Sequence, residues 1–137
     1  MKKESFIVYL VDDDPDDLDM LSEAFEESGY ASEIKCFTSG TDLLNLMALK
    51  QTEIPDIIIL DHYLSINDEA DMPGMIRNEK KYGNTTLAIY SSSLSAVRIE
   101  QLLKKGVDIC RQKGCNTDEL KVDVDAFCNA IKNKQKQ

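Results

Sequence analysis

Short apolar runs alternate with longer amphipathic stretches along this chain. Phe6-Ile-Val-Tyr-Leu-Val11 is apolar and rich in β-formers, which predicts a buried strand. Asp14-Pro15 then opens a helix, because proline suits a first helical position and acids suit the positive end of the helix dipole. Leu18, Leu21 and Phe25 give that helix its apolar face, and Ser28-Gly29 ends it. A second, shorter strand is expected over Glu33–Phe37. Thr38-Ser39-Gly40-Thr41 reads as a turn and cap, and Leu43, Leu44, Leu46 and Met47 mark a helix that Pro55 stops. Asp56-Ile-Ile-Ile-Leu60 carries the strongest strand signal; without alternation, both of its faces should be buried, as in a parallel sheet.

From His62 to Asp71 the periodicity fails and a loop is expected. A short helix should follow over about Pro73–Tyr82, stopped by Gly83-Asn84. Thr86–Tyr90 reads as a fourth strand, Ala96, Ile99, Leu102 and Leu103 as a helix closed by Gly106, and Val107–Arg111 as a weaker fifth strand. Leu120, Val124, Phe127 and Ile131 form a last helical face, with the Lys/Gln tail after Asn133 expected to fray. The order βαβαβαβαβα predicts an α/β fold: a doubly wound parallel sheet with right-handed crossovers and helices on both faces. Nothing repeats and no linker interrupts the pattern, so residues 1–137 are expected to form a single domain.

Charge narrows the function. Twenty-five acidic against 16 basic residues give a net charge of −9, which repels nucleic-acid phosphates and anionic lipid. Neither is expected as a direct partner. No apolar run approaches a membrane span, and Phe6–Val11 is too short for the apolar core of a signal peptide. Cys36, Cys110, Cys115 and Cys128 form no CxxC pair and His62 is the lone histidine, which argues against a structural zinc site. Cys36 and Cys110 fall in strand-like runs and are expected as buried thiols; a reducing, cytoplasmic location fits them.

In open parallel sheets, ligands bind beyond the carboxyl ends of the strands. The first strand ends in Asp12-Asp13-Asp14, the third in Asp61, the fourth in Ser91-Ser92-Ser93, and the fifth near Lys113. Clustered carboxylates repel one another unless a cation sits among them, and hard oxygen ligands suit Mg²⁺ or Mn²⁺. A carboxylate can also attack phosphorus and form an aspartyl phosphate. The transferred group spreads its charge over three oxygens, which a metal, a lysine and a hydroxyl could each take. Acids are ordinary at a helix start, and Asp16 and Asp17 are assigned to that solvated role. The Asp12-x-Asp14-x-Asp16 spacing imitates a calcium loop, but Asp17 stands where that loop needs glycine. His62 should point to the face opposite Asp61 and is read as structural or at the rim.

Asp12-Asp13 after the first strand, Asp61 after Ile57-Ile-Ile-Leu60, Ser91 thirty residues on and Lys113 twenty-two beyond that resemble, in order and spacing, a response-regulator receiver domain over essentially the whole chain. The resemblance implies a flavodoxin-like sheet of order 2-1-3-4-5. It implies Asp61 as phosphoacceptor, Asp12 and Asp13 as metal-binding acids, and the backbone carbonyl of Tyr63 as a further metal ligand. Ser91 would be the switch hydroxyl, with Ser92 or Ser93 taking that part if the register slips, and Lys113 the phosphate-contacting ammonium. A stand-alone domain of this kind would receive its phosphoryl group from a sensor histidine kinase or phosphotransfer protein. It would signal by contact with a downstream protein rather than by turnover as an enzyme.

The chain departs from the family's pattern in three respects. Gly114 follows the lysine where a proline in a cis peptide is usual, so that loop is expected to hold Lys113 less firmly. Cys110 replaces an aromatic that swings with the switch hydroxyl, so activation is expected in the loops after Asp61 and Ser91 instead. Ser65 and Glu69 replace a proline and a glycine, with Met72-Pro73-Gly74 later, so the third helix should be unconventional. Two alternatives stay open: a small phosphatase of the haloacid-dehalogenase type with Asp12 as nucleophile, and a pseudo-receiver that is never phosphorylated.

Overall fold

The computed structural model describes residues 5–49, 53–61 and 71–136. Among them, five strands form one parallel sheet: β1 (Phe6–Val11), β2 (Ala31–Phe37), β3 (Ile57–Asp61), β4 (Thr86–Ser91) and β5 (Ile109–Gln112). The helices are α1 (Pro15–Ser28), α2 (Gly40–Ala48), α3 (Met72–Asn78), α4 (Ala96–Lys104) and α5 (Thr117–Gln135), with a 3₁₀ turn at Lys80–Tyr82. The strand order is β2-β1-β3-β4-β5, the order the family resemblance implies, in the doubly wound parallel sheet expected from the alternation of elements.

Side chains along a strand point alternately to the two faces of a sheet, and this divides the apolar residues between two cores. Val8 and Leu10 of β1, Ile57 and Ile59 of β3, and Ala88 and Tyr90 of β4 face one way. There they pack against Leu18, Leu21 and Phe25 of α1 and Val124, Phe127 and Ile131 of α5. Tyr9 and Val11, Ile58 and Leu60, and Leu87 and Ile89 face the other way, against Leu43 of α2, Ile76 of α3 and Leu102 of α4. Phe127 is fully buried; it stacks on Phe25 with ring centroids 6.4 Å apart and meets Tyr90 edge-on at 5.4 Å.

Element ends follow local chemistry. Asp14 caps α1 by accepting from Asp16 N at 2.9 Å, and Gly29 closes it at φ 75°, a conformation that favours glycine. Gly106 closes α4 in the same way at φ 98°, and Val107 N donates back to Leu102 O at 3.2 Å. That bond makes Val107 part of the helix end, which is why β5 begins at Ile109 and not at Val107. β2 starts two residues before Glu33, because Phe6 pairs with Ala31 and draws a segment without apolar signal into the ladder. Cys36 is exposed rather than buried, since β2 is an edge strand; Cys110, on the other edge, is half-buried. α2 ends at Ala48, well before Pro55, where Leu49 turns extended. The third helix breaks at Glu79, also extended, and resumes only as the 3₁₀ turn. The tail does not fray at Asn133: α5 runs to Gln135, with Lys134 Nζ donating to Asp108 Oδ1 at 3.0 Å.

Truncating the aromatic shared by α1, α5 and β4 tests this packing. Phe127→Ala is expected to lower the unfolding free energy by about 3–5 kcal/mol, read from urea denaturation. A loss under about 1 kcal/mol would mean the site collapses around the deletion.

Candidate functional site

The period of two that sorts the cores also sorts the strand-end residues. Asp12 continues the parity of Val8 and Leu10, and Asp61 that of Ile57 and Ile59. Beyond Ile109 and Arg111 of β5, Lys113 continues theirs. The three reach one cleft at the carboxyl edge of the sheet, on the α1/α5 side, walled by Leu18 and Leu120. Parallel pairing of β1 with β3 and of β3 with β4 sets the depth at which they meet, with Asp61 level with Tyr90. Ser91 has the opposite parity, that of Leu87 and Ile89.

Carboxylate oxygens of Asp12, Asp13 and Asp61 lie within 4.8 Å of one another. Asp12 and Asp61 are nearly withdrawn from water, their side chains 10% and 12% exposed, while Asp13 is exposed. Asp12 Oδ1 accepts from Asp14 N at 2.9 Å, which fixes its rotamer at the start of α1. The donor set of three hard oxygens at this spacing, with one open side, fits a small divalent cation that keeps several waters. It offers no nitrogen or sulfur to favour a softer metal.

Lys113 Nζ donates to Asp12 Oδ2 and to Asp17 Oδ2, both at 2.8 Å, and lies 3.7 Å from Asp61 Oδ2. Burial works against its charge, but the bonds from Asp12 and Asp17 and the charges of Asp12 and Asp61 outweigh that and hold it above the ordinary lysine range. The ammonium thus pairs with three of the four carboxylates gathered here, which leaves a formal excess of three negative charges.

Asp17 is the residue that sequence reasoning assigned wrongly. It is not merely solvated at the start of α1 but paired with Lys113. Its place in the first turn of α1, directly after the strand-end acids, is the signal that could have placed it over the same cleft.

The loop at Gly114 is tied on both sides of the lysine by hydrogen bonds. Lys113 N donates to Ser91 O at 2.7 Å, and Gly114 N donates to Asp123 Oδ2 at 3.1 Å. Among the described residues every peptide bond is trans.

Ser91 is buried at the end of β4, and its Oγ is engaged in its own turn: it donates to Ser93 O at 3.1 Å and accepts from Ser93 N at 3.3 Å. Cys110, at the family's aromatic position, packs against the second core, and burial pushes its thiol up. Tyr63, His62, Ser65 and Glu69 lie outside the described residues. Asp71 caps α3, accepting from Gly74 N at 3.3 Å. No helix among the described residues is long and apolar enough to cross a membrane.

Solved structures with the same fold include the phosphorylated cyanobacterial phytochrome response regulator RcpA, 20% identical with a TM-score of 0.76 over 90% of this chain and 91% of that one. The Mn²⁺-bound response regulator Rcp1 is 17% identical, with a TM-score of 0.75 over 89% and 91%. The receiver domain of the Francisella response regulator 1452 is 25% identical, with a TM-score of 0.72 over 94% and 98%. No curated protein matches the chain by sequence. The family model of the response regulator receiver domain matches residues 8–125, a span that takes in every strand end described above. On that match the chain belongs to the receiver-domain family of two-component response regulators.

Proposed function

We propose that the chain accepts a phosphoryl group on Asp61 and changes conformation in response. The observation that carries this reading is the convergence of Asp12, Asp13 and Asp61 within 4.8 Å, with Lys113 Nζ 3.7 Å from the acceptor. A carboxylate oxygen of Asp61 attacks phosphorus, and the bond from phosphorus to the donor breaks with its electrons leaving on the donor. With a histidine kinase or phosphotransfer protein the leaving group is an imidazole; with acetyl phosphate it is acetate. Asp12, Asp13, Asp61 and the carbonyl of Tyr63 would hold Mg²⁺ or Mn²⁺, which supplies positive charge for the phosphoryl oxygens. Lys113 takes a further phosphoryl oxygen, and Ser91 must leave its turn with Ser93 to reach another. New charge at Asp61 then shifts the balance between two arrangements of these groups.

Intact-mass measurement after incubation with acetyl phosphate and Mg²⁺ is expected to show the addition of one phosphoryl group. Asp61→Asn is expected to abolish it. Label that persists in Asp61→Asn and disappears in Asp12→Asn would transfer the nucleophile to Asp12, the phosphatase reading. A wild-type chain that never labels would make it a pseudo-receiver.

Metal affinity gives a second prediction, with opposite signs at two positions. Asp13→Ala removes a hard ligand and is expected to weaken Mg²⁺ binding by about tenfold or more. Lys113 competes with a cation for Asp12, so Lys113→Ala is expected to tighten it by about fivefold, the size of a partly screened ion pair. Calorimetric titration reads both, and equal affinity in all three proteins would place the metal elsewhere.

A further inference from the structure

Beside Lys113 lies a buried polar cluster that the phosphoryl chemistry does not use. Asp123 of α5 is 3% exposed, and both its carboxylate oxygens are engaged. Oδ1 accepts from Arg111 Nε at 2.9 Å and lies 2.9 Å from Arg111 Nη2. Oδ2 accepts from the hydroxyl of Tyr90 in a short hydrogen bond, and from Gly114 N at 3.1 Å. Gly114 N is also 3.2 Å from the Tyr90 hydroxyl oxygen, so its N–H is shared between the two acceptors. Burial and the neighbouring Asp123 raise the Tyr90 hydroxyl far above its ordinary value, which keeps its proton in place to be donated.

We propose that Asp123 and Tyr90 are positioning residues for Lys113, clamping the β5–α5 turn through the N–H of Gly114. The proposal rests on the reading of Lys113 as the ammonium that faces the phosphoryl group. Both peptide planes that flank Lys113 are fixed: its own N–H on Ser91 O at 2.7 Å, and the next N–H on Asp123. The lysine Cα is thereby referenced to β4 on one side and to α5 on the other.

Residue 114 must meet two demands for this. It needs an N–H, which excludes proline. It also needs no side chain, because a Cβ there would stand 2.7 Å from Glu119 Cβ and 3.0 Å from Glu119 C. Glycine meets both. A buried carboxylate is costly unless it is paired, and Asp123 uses one oxygen for its counter-ion and the other for this turn. A purely structural ion pair would need only Arg111. The link from Tyr90 to Gly114 also crosses from the residue before Ser91 to the residue after Lys113, joining the ends of β4 and β5.

The test uses Tyr90→Phe, which keeps the ring against Phe127, and Asp123→Asn, which places an amide donor or an uncharged acceptor opposite Gly114 N. Nitrogen-15 NMR of the lysine ammonium groups in the full chain reads Lys113 directly. Its signal is expected to be sharp in the wild type, where its side chain is 13% exposed, and to broaden or move in both variants. The rate of labelling by acetyl phosphate is expected to fall about tenfold in Tyr90→Phe. In a Lys113→Ala background the same change should have no further effect, because its influence passes through the lysine. An unmoved ammonium signal in folded Tyr90→Phe would overturn the proposal, and so would an equal loss of rate with and without Lys113. If the wild type takes no phosphoryl group, the phosphoacceptor reading falls by itself, and the ammonium signal still decides whether the clamp holds Lys113.

Discussion

The alternation of side chains along the central strands is the constraint on which the rest of this protein depends. Because successive residues of β1, β3 and β4 face opposite ways, one run of apolar residues serves two cores. The same alternation, carried one residue past the end of β1 and onto the last residue of β3, delivers Asp12 and Asp61 to the α1/α5 side. A slip of one residue in either pairing would turn core residues outward and separate the acids. Core packing and site assembly are therefore enforced by the same register, and the apolar burial of three central strands holds the carboxylates against their repulsion.

That repulsion is only partly relieved by the chain itself. Asp12, Asp17 and Asp61 share one ammonium, drawn closest to Asp12 and Asp17 and a little further from Asp61, while Asp13 adds a fourth carboxylate beside Asp12 and Asp61. Such a site is poised for additional positive charge, and for a ligand that brings its own oxygens to the lysine. Asp17 gives Lys113 a second partner besides Asp12, so any ligand that draws the ammonium away competes with a bond at 2.8 Å. The helix start that a solvated reading would leave to water is part of the charge balance of the cleft.

The turn after Lys113, at the same carboxyl edge, shows how a departure from a family's pattern can be made good by other means. Where a proline ring would stiffen the turn after the lysine, this chain has Gly114, whose N–H is bound by Asp123 and Tyr90. In place of a covalent ring, the turn has a hydrogen-bonded network anchored in α5. At Cys110 no such replacement is found among the described residues: the thiol packs against the second core, with no ring at that position to swing.

By itself the sequence determined the alternating order of elements, the parallel sheet, the central strands, and the candidates Asp12, Asp13, Asp61, Ser91 and Lys113. Those are legible because burial on both faces leaves unbroken apolar runs, and because a binding edge must lie where such runs end. The tertiary structure decided what depends on neighbours distant in sequence. β2 gained residues through backbone pairing with β1, and its edge position exposed Cys36. The start of β5 was set by the closure of α4 onto Leu102, and α5 was prolonged by a lysine that finds Asp108. Asp17 reads in sequence as an ordinary helix acid, and nothing in the sequence singles out Asp123; only the packing of α1 and α5 against the sheet brings the first to Lys113 and buries the second beside Gly114. A carboxylate's role is fixed by what faces it, and the partners of these two lie 96 and 9 residues away along the chain.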